Sequence, residues 1–275
     1  MEAGAFRERY GPWAVVLGAS EGLGEAYARD AARRGLNVVV AARRSGPLTA
    51  VARSVHDDLG VDGVPVVCDL TAPDCLDTLR AATEPLEVGL AVFNATDSYL
   101  GPFLDEPPGH ALQQVAINVA AVLGVCEHFG RAMVARGRGG VVLMGSGAGV
   151  AGTAGLAVYS ATKSFQLTLA QALHLEWKDL GVDVLGVVGP AIDTPNFRRS
   201  FDHDPDTLPH PPLPPDEVAR DVLDALGQEM EIMPGAANRE GYRFLSALPR
   251  VEQAQMLSAS FTAAGRAADR ASESG

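Results

Sequence analysis

WAVVLGASEGLGEAYARDAARRG, residues 13–35, decides the fold. Its apolar opening, Trp13 to Leu17, runs without alternation, which is how a strand reads when both of its faces are covered. The run breaks at Gly18, and Gly18, Gly22 and Gly24, with Ser20, Glu21 and Leu23 among them, fill the turn. Apolar residues then recur at three- to four-residue spacing as far as Gly35, the pattern of a helix with one buried stripe and a glycine C-cap. A strand, a glycine-rich turn and a helix in this order suit a pyrophosphate. Backbone N–H groups and the helix N-terminus face the anion, and side chains at the glycine positions would block its approach. The spacing GxxxGxG also occurs in turns that hold no ligand; its place between a first strand and a helix is what favours a dinucleotide.

The same unit recurs along the chain. LNVVVAA (36–42), GVPVVCDL (63–70), VGLAVFNA (88–95), GGVVLMGS (139–146) and VDVLGVVG (182–189) are β-branched and nearly continuous. Segments of helical length lie between them, among them SFQLTLAQALHLEWKDLG (164–181). Such alternation predicts βαβ units wound into one doubly wound parallel sheet, an α/β fold of about seven strands with helices on both faces. Residues 1–265 are expected to form a single domain and 266–275, small and polar, a disordered tail. Residues 190–215 break the rhythm with prolines at 190, 195, 205, 209, 211, 212, 214 and 215. So long a connection is either functional or floppy; as a substrate loop it would place Phe197, Phe201, Leu208 and Leu213 in an apolar lid.

Composition narrows the function. The net charge is −12 and the pI about 4.9, which argues against nucleic acid as a partner and disfavours an anionic membrane surface. Residues 139–162 carry no charge and are long enough to cross a bilayer, but glycine, serine and threonine crowd them, and a strand, a loop and a helix start fit better. The histidines show no metal-ligand spacing, so no metal is expected. Cys68, Cys75 and Cys126 form no CxxC pair, and an odd number argues against a disulfide framework; Cys68 and Cys126 read as small buried hydrophobes. With an N-terminus that lacks a signal-peptide core, this points to a reducing, cytoplasmic setting.

The end of the second strand bears on the cofactor. An acid there suits the ribose hydroxyls of NAD, an arginine the 2′-phosphate of NADP. VVVAARRSG offers Arg43 and Arg44 and no acid, so NADP(H) is favoured over NAD(H). Two merely solvated arginines are the alternative, and Glu21, placed to lie near the same phosphate, counts against NADP.

YSATK (159–163) holds one of only two lysines in an arginine-rich chain, the other being Lys178. On a helix, Tyr159 and Lys163 share a face. A phenol with a pKa near 10 is a poor base, and an ammonium beside it favours the phenolate. Lysine is a compact donor where arginine is a wide fork. Ser146 ends the fifth strand, at the sheet edge where doubly wound folds bind ligands, and its hydroxyl suits polarisation of a carbonyl. Asn118 lies in a helical stretch that asparagine disfavours; a structural role and a functional one are equally open for it.

In order and spacing, Gly18-x3-Gly22-x-Gly24, Asp69, Asn94-Ala95, Asn118, Ser146, Tyr159-x3-Lys163 and Pro190 with Thr194 resemble a classical short-chain dehydrogenase/reductase, over roughly residues 10–250. The resemblance implies a Rossmann-type fold and an oxidoreductase. In it Tyr159 is the acid/base, Ser146 orients the substrate, Lys163 holds the nicotinamide ribose and lowers the tyrosine pKa, and Asn118 supports a water-linked proton relay. Asp69 and Leu70 would flank the adenine, Asn94 and Ala95 the cofactor ribose, and Pro190, Ile192 and Thr194 the carboxamide. The chain departs from the family at Leu17, often threonine, at Thr96, usually glycine, and at Ala191, also usually glycine. Leu17 implies a lost structural hydrogen bond, and Thr96 and Ala191 a reshaped pocket. YGPWAVVLGASEGLGEAYA is similar to the opening of the 17β-hydroxysteroid dehydrogenase and very-long-chain 3-ketoacyl reductase branch, and so hints at a bulky apolar ketone or alcohol. Family members pair the helices near 109–136 and 156–179 across subunits, which implies a homodimer or homotetramer. Two readings compete: a catalytically silent NAD(P)-binding regulator, which predicts loss of the catalytic residues, and a methyltransferase, which wants an acid where Arg43 stands.

Overall fold

The computed structural model describes residues 2–200 and 210–260. Seven strands, β1 (Trp13–Leu17), β2 (Asn37–Ala42), β3 (Gly63–Val67), β4 (Val88–Phe93), β5 (Gly139–Met144), β6 (Val182–Val187) and β7 (Glu231–Ile232), form one sheet in the order β3-β2-β1-β4-β5-β6-β7. Every pairing is parallel, with Val15 opposite Val39 on one side and Ala91 on the other. Each of the six apolar runs is a strand. The seventh, only two residues long, comes from a segment with no apolar run of its own.

The strands read as continuous apolar runs because alternate side chains enter two different cores. Val16, Val40, Leu90, Val142 and Leu185 point to one face, where Tyr27 of α2 (Gly22–Arg33) and Val218 and Val222 of α9 (Pro215–Ala225) cover them. Val15, Val39, Ala91, Val141 and Leu143 point to the other, under Leu79 of α4 (Cys75–Thr83) and Phe129 and Met133 of α6 (Ala121–Arg136). α9 opens on Pro215 with Asp216 and Glu217 in its first turn, a start that needs no donor at N1 and sets acids against the positive helix end.

Ahead of α6, α5 (His110–Val115) runs into a π turn over Ala116–Ala120, so that 110–136 is one helix with an irregularity at Asn118. It is long and apolar enough to cross a membrane, yet packs as a core helix against α4 and β4. Tyr159 and Lys163 stand in the first two turns of α7 (Ala157–Trp177), which begins seven residues before the predicted 164–181. Residues 139–162 fold as β5, a loop and the start of α7. In the proline-rich segment α8 (Pro195–Ser200) precedes residues outside the description, which include Phe201 and Leu208; the predicted tail 266–275 also lies outside it. Leu213 bridges in parallel to Ile192 and packs on the core, so it anchors the far end of this segment rather than capping the site.

Because Leu143 is fully buried at the centre of the sheet, Leu143→Ala should lower the unfolding free energy by about 2–5 kcal/mol, read from urea midpoints at unchanged m-value.

Candidate active site

The sheet order reverses between β1 and β4, and at their C-terminal ends the chain must leave in opposite directions, which opens a crevice. Gly18 follows β1 with φ +79°, and a Cβ there would meet the Ala95 backbone at 2.7 Å. Asn94 follows β4; its backbone N–H donates to Leu17 O and its side-chain Nδ2 to Gly18 O, both at 3.1 Å. Leu17 is itself a buried core residue, so the backbone holds this junction where the family often uses a threonine hydroxyl. Gly24 does not face the crevice. Any Cβ on it would lie 2.1 Å from Gly18 O, so its role is to let α2 close on the turn.

The crevice is a cleft of about 1460 Å³, larger than the roughly 300–1,000 Å³ of a pocket for one drug-sized ligand. Gly18, Ser20, Glu21, Gly22 and Leu23 line one end, with Arg43 and Arg44 after β2 and Leu70 after β3. Asn94, Ala95 and Thr96 form its middle; Ser146, Tyr159, Lys163, Pro190, Ala191, Ile192 and Thr194 form the deep end. Of the expected residues only Gly24, Asp69 and Asn118 lie outside the lining. Asp69 is exposed, and its carboxylate accepts from Thr71 N–H and the Thr71 hydroxyl.

At the glycine turn, Glu21 lies between two arginines. Arg44 reaches its carboxylate at 2.9 Å and the Ser20 hydroxyl at 3.1 Å; Arg199 of α8 pairs with the same carboxylate from across the cleft. The Arg199 hydrogen bond, then that of Arg44, holds the Glu21 carboxyl below its ordinary range. Glu21 therefore neutralises part of the arginine charge. Nothing local in the sequence flags Arg199, which reaches Glu21 only through the tertiary fold.

Ser146 caps the turn after β5, its Oγ accepting from Ala148 N–H at 3.2 Å. Burial raises the Tyr159 phenol above its ordinary pKa, and hydrogen bonds with Ser146 and Thr96 oppose that rise. Thr96, where the family has glycine, thus touches the tyrosine. The lowered tyrosine pKa expected from Lys163 is not the net state here. Lys163 is itself 2% exposed, its Nζ donates to Met144 O at 2.6 Å and Gln166 Oε1 at 3.3 Å, and it stands 5.7 Å from the Tyr159 ring centroid. Burial lowers the pKa of this ammonium to about 7, because desolvation penalises the charged form.

Asn118, fully buried, is a brace. Its Oδ1 accepts from Asp97 N–H at 3.0 Å and Thr96 Oγ1 at 3.3 Å, and its Nδ2 donates to Asp97 O at 2.8 Å and Thr162 Oγ1 at 3.1 Å. The side chain thereby fastens the loop after β4 to α7. Its carbonyl accepts from Gln166 Nε2 at 2.8 Å. π turns of this kind gather at functional sites.

An apolar group, Tyr99, Leu100, Leu156, Phe197, Leu245 and Met256, also lines the cleft, with Arg199, His210 and Asn238 among the polar residues there. Of the two described residues of the predicted lid quartet, Phe197 lines the cleft and Leu213 does not. Met256 belongs to a helical stretch over 250–260, held over the loop before α7 by a hydrogen bond from Ala154 N–H to Ser258 Oγ at 2.9 Å; the sequence reading had not assigned this stretch to the site.

Cys68 requires a correction. It is buried, as expected, but bonded to Cys75 in a disulfide across the turn that carries Asp69 and Leu70. The turn brings the two Cα atoms to 5.4 Å, within disulfide range, at a sequence separation that carries no motif. Cys126 is the free, buried thiol. The cysteine argument for a reducing compartment therefore loses its footing.

With the geometry in place, the comparisons agree. Residues 12–205 match the short chain dehydrogenase family model. The chain belongs to the short-chain dehydrogenase/reductase family, and it is an NAD(P)-dependent oxidoreductase of small molecules. It is 30% identical to a 7β-hydroxysteroid dehydrogenase of Collinsella aerofaciens over 85% of this chain and 90% of the relative. It is also 34% identical to a very-long-chain 3-oxoacyl-CoA reductase of Anas platyrhynchos, over 67% of this chain and 62% of the relative, in keeping with the hydroxysteroid and ketoacyl reductase branch. A short-chain dehydrogenase from Sphingobium yanoikuyae, solved in complex with NADPH, superposes with a TM-score of 0.74 at 29% identity, over 86% of this chain and 96% of that one.

The lysine makes a linkage testable. A cofactor whose ribose hydroxyls accept from the Lys163 ammonium favours the charged form, so a site with the lysine near pKa 7 should take up a proton on binding NADPH above pH 7. Affinity should be greatest at and below pH 7 and fall as pH rises through the window above it. Titration calorimetry in buffers of different ionisation enthalpy should show this uptake at pH 8 and its absence in Lys163→Met.

Proposed function

We propose that the protein is an NADP(H)-preferring reductase of bulky apolar ketones, running in the reverse direction as a dehydrogenase of the corresponding secondary alcohols. The carrying observation is that Ser146, Tyr159 and Lys163 line one cleft together with Arg43, Arg44 and an apolar group that includes Leu100, Phe197 and Met256.

The cleft suits a dinucleotide: its glycines permit close backbone approach, and Gly22, at φ +61°, would put a Cβ 3.1 Å from Thr194. Ser20, Gly22 and the N-terminus of α2 would hold the pyrophosphate, Arg43 and Arg44 the 2′-phosphate, Lys163 and Asn94 the nicotinamide ribose, and Ile192 and Thr194 the carboxamide. When bound, the nicotinamide supplies or accepts the hydride. Ser146 donates a hydrogen bond to the substrate oxygen, which polarises the carbonyl. Tyr159, kept protonated by burial, donates its proton to that oxygen as an alcohol forms. Lys163 stabilises the phenolate left behind. The apolar group and the names of the steroid and long-chain acyl relatives support a large, water-poor ketone.

Residues 1–265 serve as one domain in this reading, with 190–215 as the loop over the substrate. The exposed Leu112, Val115, Leu123 and Leu175, on α5, α6 and α7, support a homodimer or homotetramer built on these helices, as do the helix pairings that the family resemblance implies.

The decisive experiment follows NADPH and NADH oxidation against a steroid ketone, a β-ketoacyl thioester and a small diketone. NADPH should be preferred and the bulky ketones turned over, with Tyr159→Phe lowering kcat by about 10²–10⁴-fold. Turnover that survives in Tyr159→Phe would overturn the catalytic assignment. Arg43→Ala and Arg44→Ala should each weaken NADPH binding by about 10–100-fold, the worth of a hydrogen bond to a charged group, and leave NADH nearly unaffected. Equal losses for both cofactors would overturn the proposed preference.

A further inference from the structure

We infer that Gln166 is a positioning residue for Lys163: its side-chain amide ties the lysine ammonium to the backbone carbonyl of Asn118. The inference rests on the role proposed above for Lys163.

Gln166 follows Lys163 by three residues on α7, so the two share a helix face, and it is wholly buried. Both ends of its amide are engaged. Oε1 accepts from Lys163 Nζ at 3.3 Å, and Nε2 donates to Asn118 O at 2.8 Å. The π turn over Ala116–Ala120 disturbs the ordinary i to i+4 ladder, and the Asn118 carbonyl takes this side-chain donor. With Met144 O at 2.6 Å, two of the three ammonium protons have fixed partners, one from β5 and one relayed from the helix over 110–136. The third is free to serve a ligand, and Lys163 lines the cleft.

The chemistry of the amide is what the position requires. A buried ammonium needs acceptors, and a buried carbonyl needs a donor; one neutral group here supplies both. An aliphatic side chain would leave both short of a partner. A carboxylate would serve the ammonium and repel the carbonyl. Among the described residues no carboxylate pairs with Lys163, and burial alone accounts for its lowered pKa; Tyr159, on the same helix, is the titratable group beside it. An amide neither gains nor loses a proton near neutral pH. Asn118, to which the family resemblance attached a water-linked relay, therefore has its carbonyl held by a group that conducts no proton. Gln166 sets where the charge stands, and carries none itself.

The test is NADPH affinity against pH, by fluorescence titration of the full chain, for the wild type, Gln166→Met, Gln166→Glu and Lys163→Met. Losing the acceptor disfavours the ammonium, so Gln166→Met should weaken NADPH about 10-fold or more at pH 8 and move the alkaline fall in affinity to lower pH. A carboxylate favours the ammonium, so Gln166→Glu should move that fall to higher pH. A residue that merely fills space would not produce opposite shifts. Should Gln166→Met fail to fold, the Gln166→Glu shift alone decides. If Lys163→Met abolishes the pH dependence while both Gln166 variants keep the wild-type curve, the role of Gln166 is overturned and that of Lys163 stands. If Lys163→Met keeps the wild-type dependence, the reading of Lys163 fails, and the inference with it.

Discussion

The carbonyl of Gly18 is the joint on which the site is assembled. Asn94 donates to it from the end of β4, and α2 closes on it so tightly that position 24 has room for hydrogen alone. One peptide group thus couples β1, α2 and β4 where the sheet order reverses. The packing of the two cores sets this joint in place. Val16, Val142 and their neighbours press on α2 and α9, Val15, Leu143 and theirs on α4 and α6, and together they hold the strand ends in register. The cleft is the gap that the reversal leaves at that edge.

At the deep end a different constraint governs, the burial of an ammonium. Taking a charge out of water is costly unless acceptors meet it. Met144 and Gln166 supply them, one from the sheet and one from within α7, and Asn118 holds Gln166 in turn. The same Asn118 carries Thr96 and Asp97 on its side chain. Lysine, π turn, glutamine and the loop after β4 form one hydrogen-bonded unit, so the tyrosine–lysine pair works within a scaffold that reaches beyond the motif. Burial leaves the tyrosine protonated and the lysine near neutrality, a state that suits proton donation and that a cofactor accepting from the lysine would tilt toward the ammonium.

At the glycine turn the balance is between charges in water. Glu21 draws Arg44 and Arg199 together across the cleft. Exposed pairs of this kind are worth little on their own, so a bound phosphate can compete for the same arginines at small cost. Under the proposed preference for NADP, the acid in the glycine turn and the arginines after β2 can thus serve one site.

The sequence by itself determined the sheet, its parallel sense, the glycine turn and the shared face of Tyr159 and Lys163, because each of these follows from local pattern. A strand covered on both faces is continuously apolar, a phosphate turn needs glycines, and a tyrosine four residues before a lysine shares its helix face. The family resemblance supplied order and roles on top of that. What escaped it depends on contacts between distant segments. The two-residue β7 exists only because β6 offers it an edge. Leu213 anchors instead of capping, because Ile192 is beside it. Asp69 bonds to Thr71 and stands outside the cleft lining, and Cys68 meets Cys75 because the intervening turn folds back. Arg199 reaches Glu21 and Gln166 reaches Asn118 through space. Local propensity determines which element a segment becomes; which side chains then share a buried volume, and so which charges are met and which pKa values move, only the tertiary structure decides.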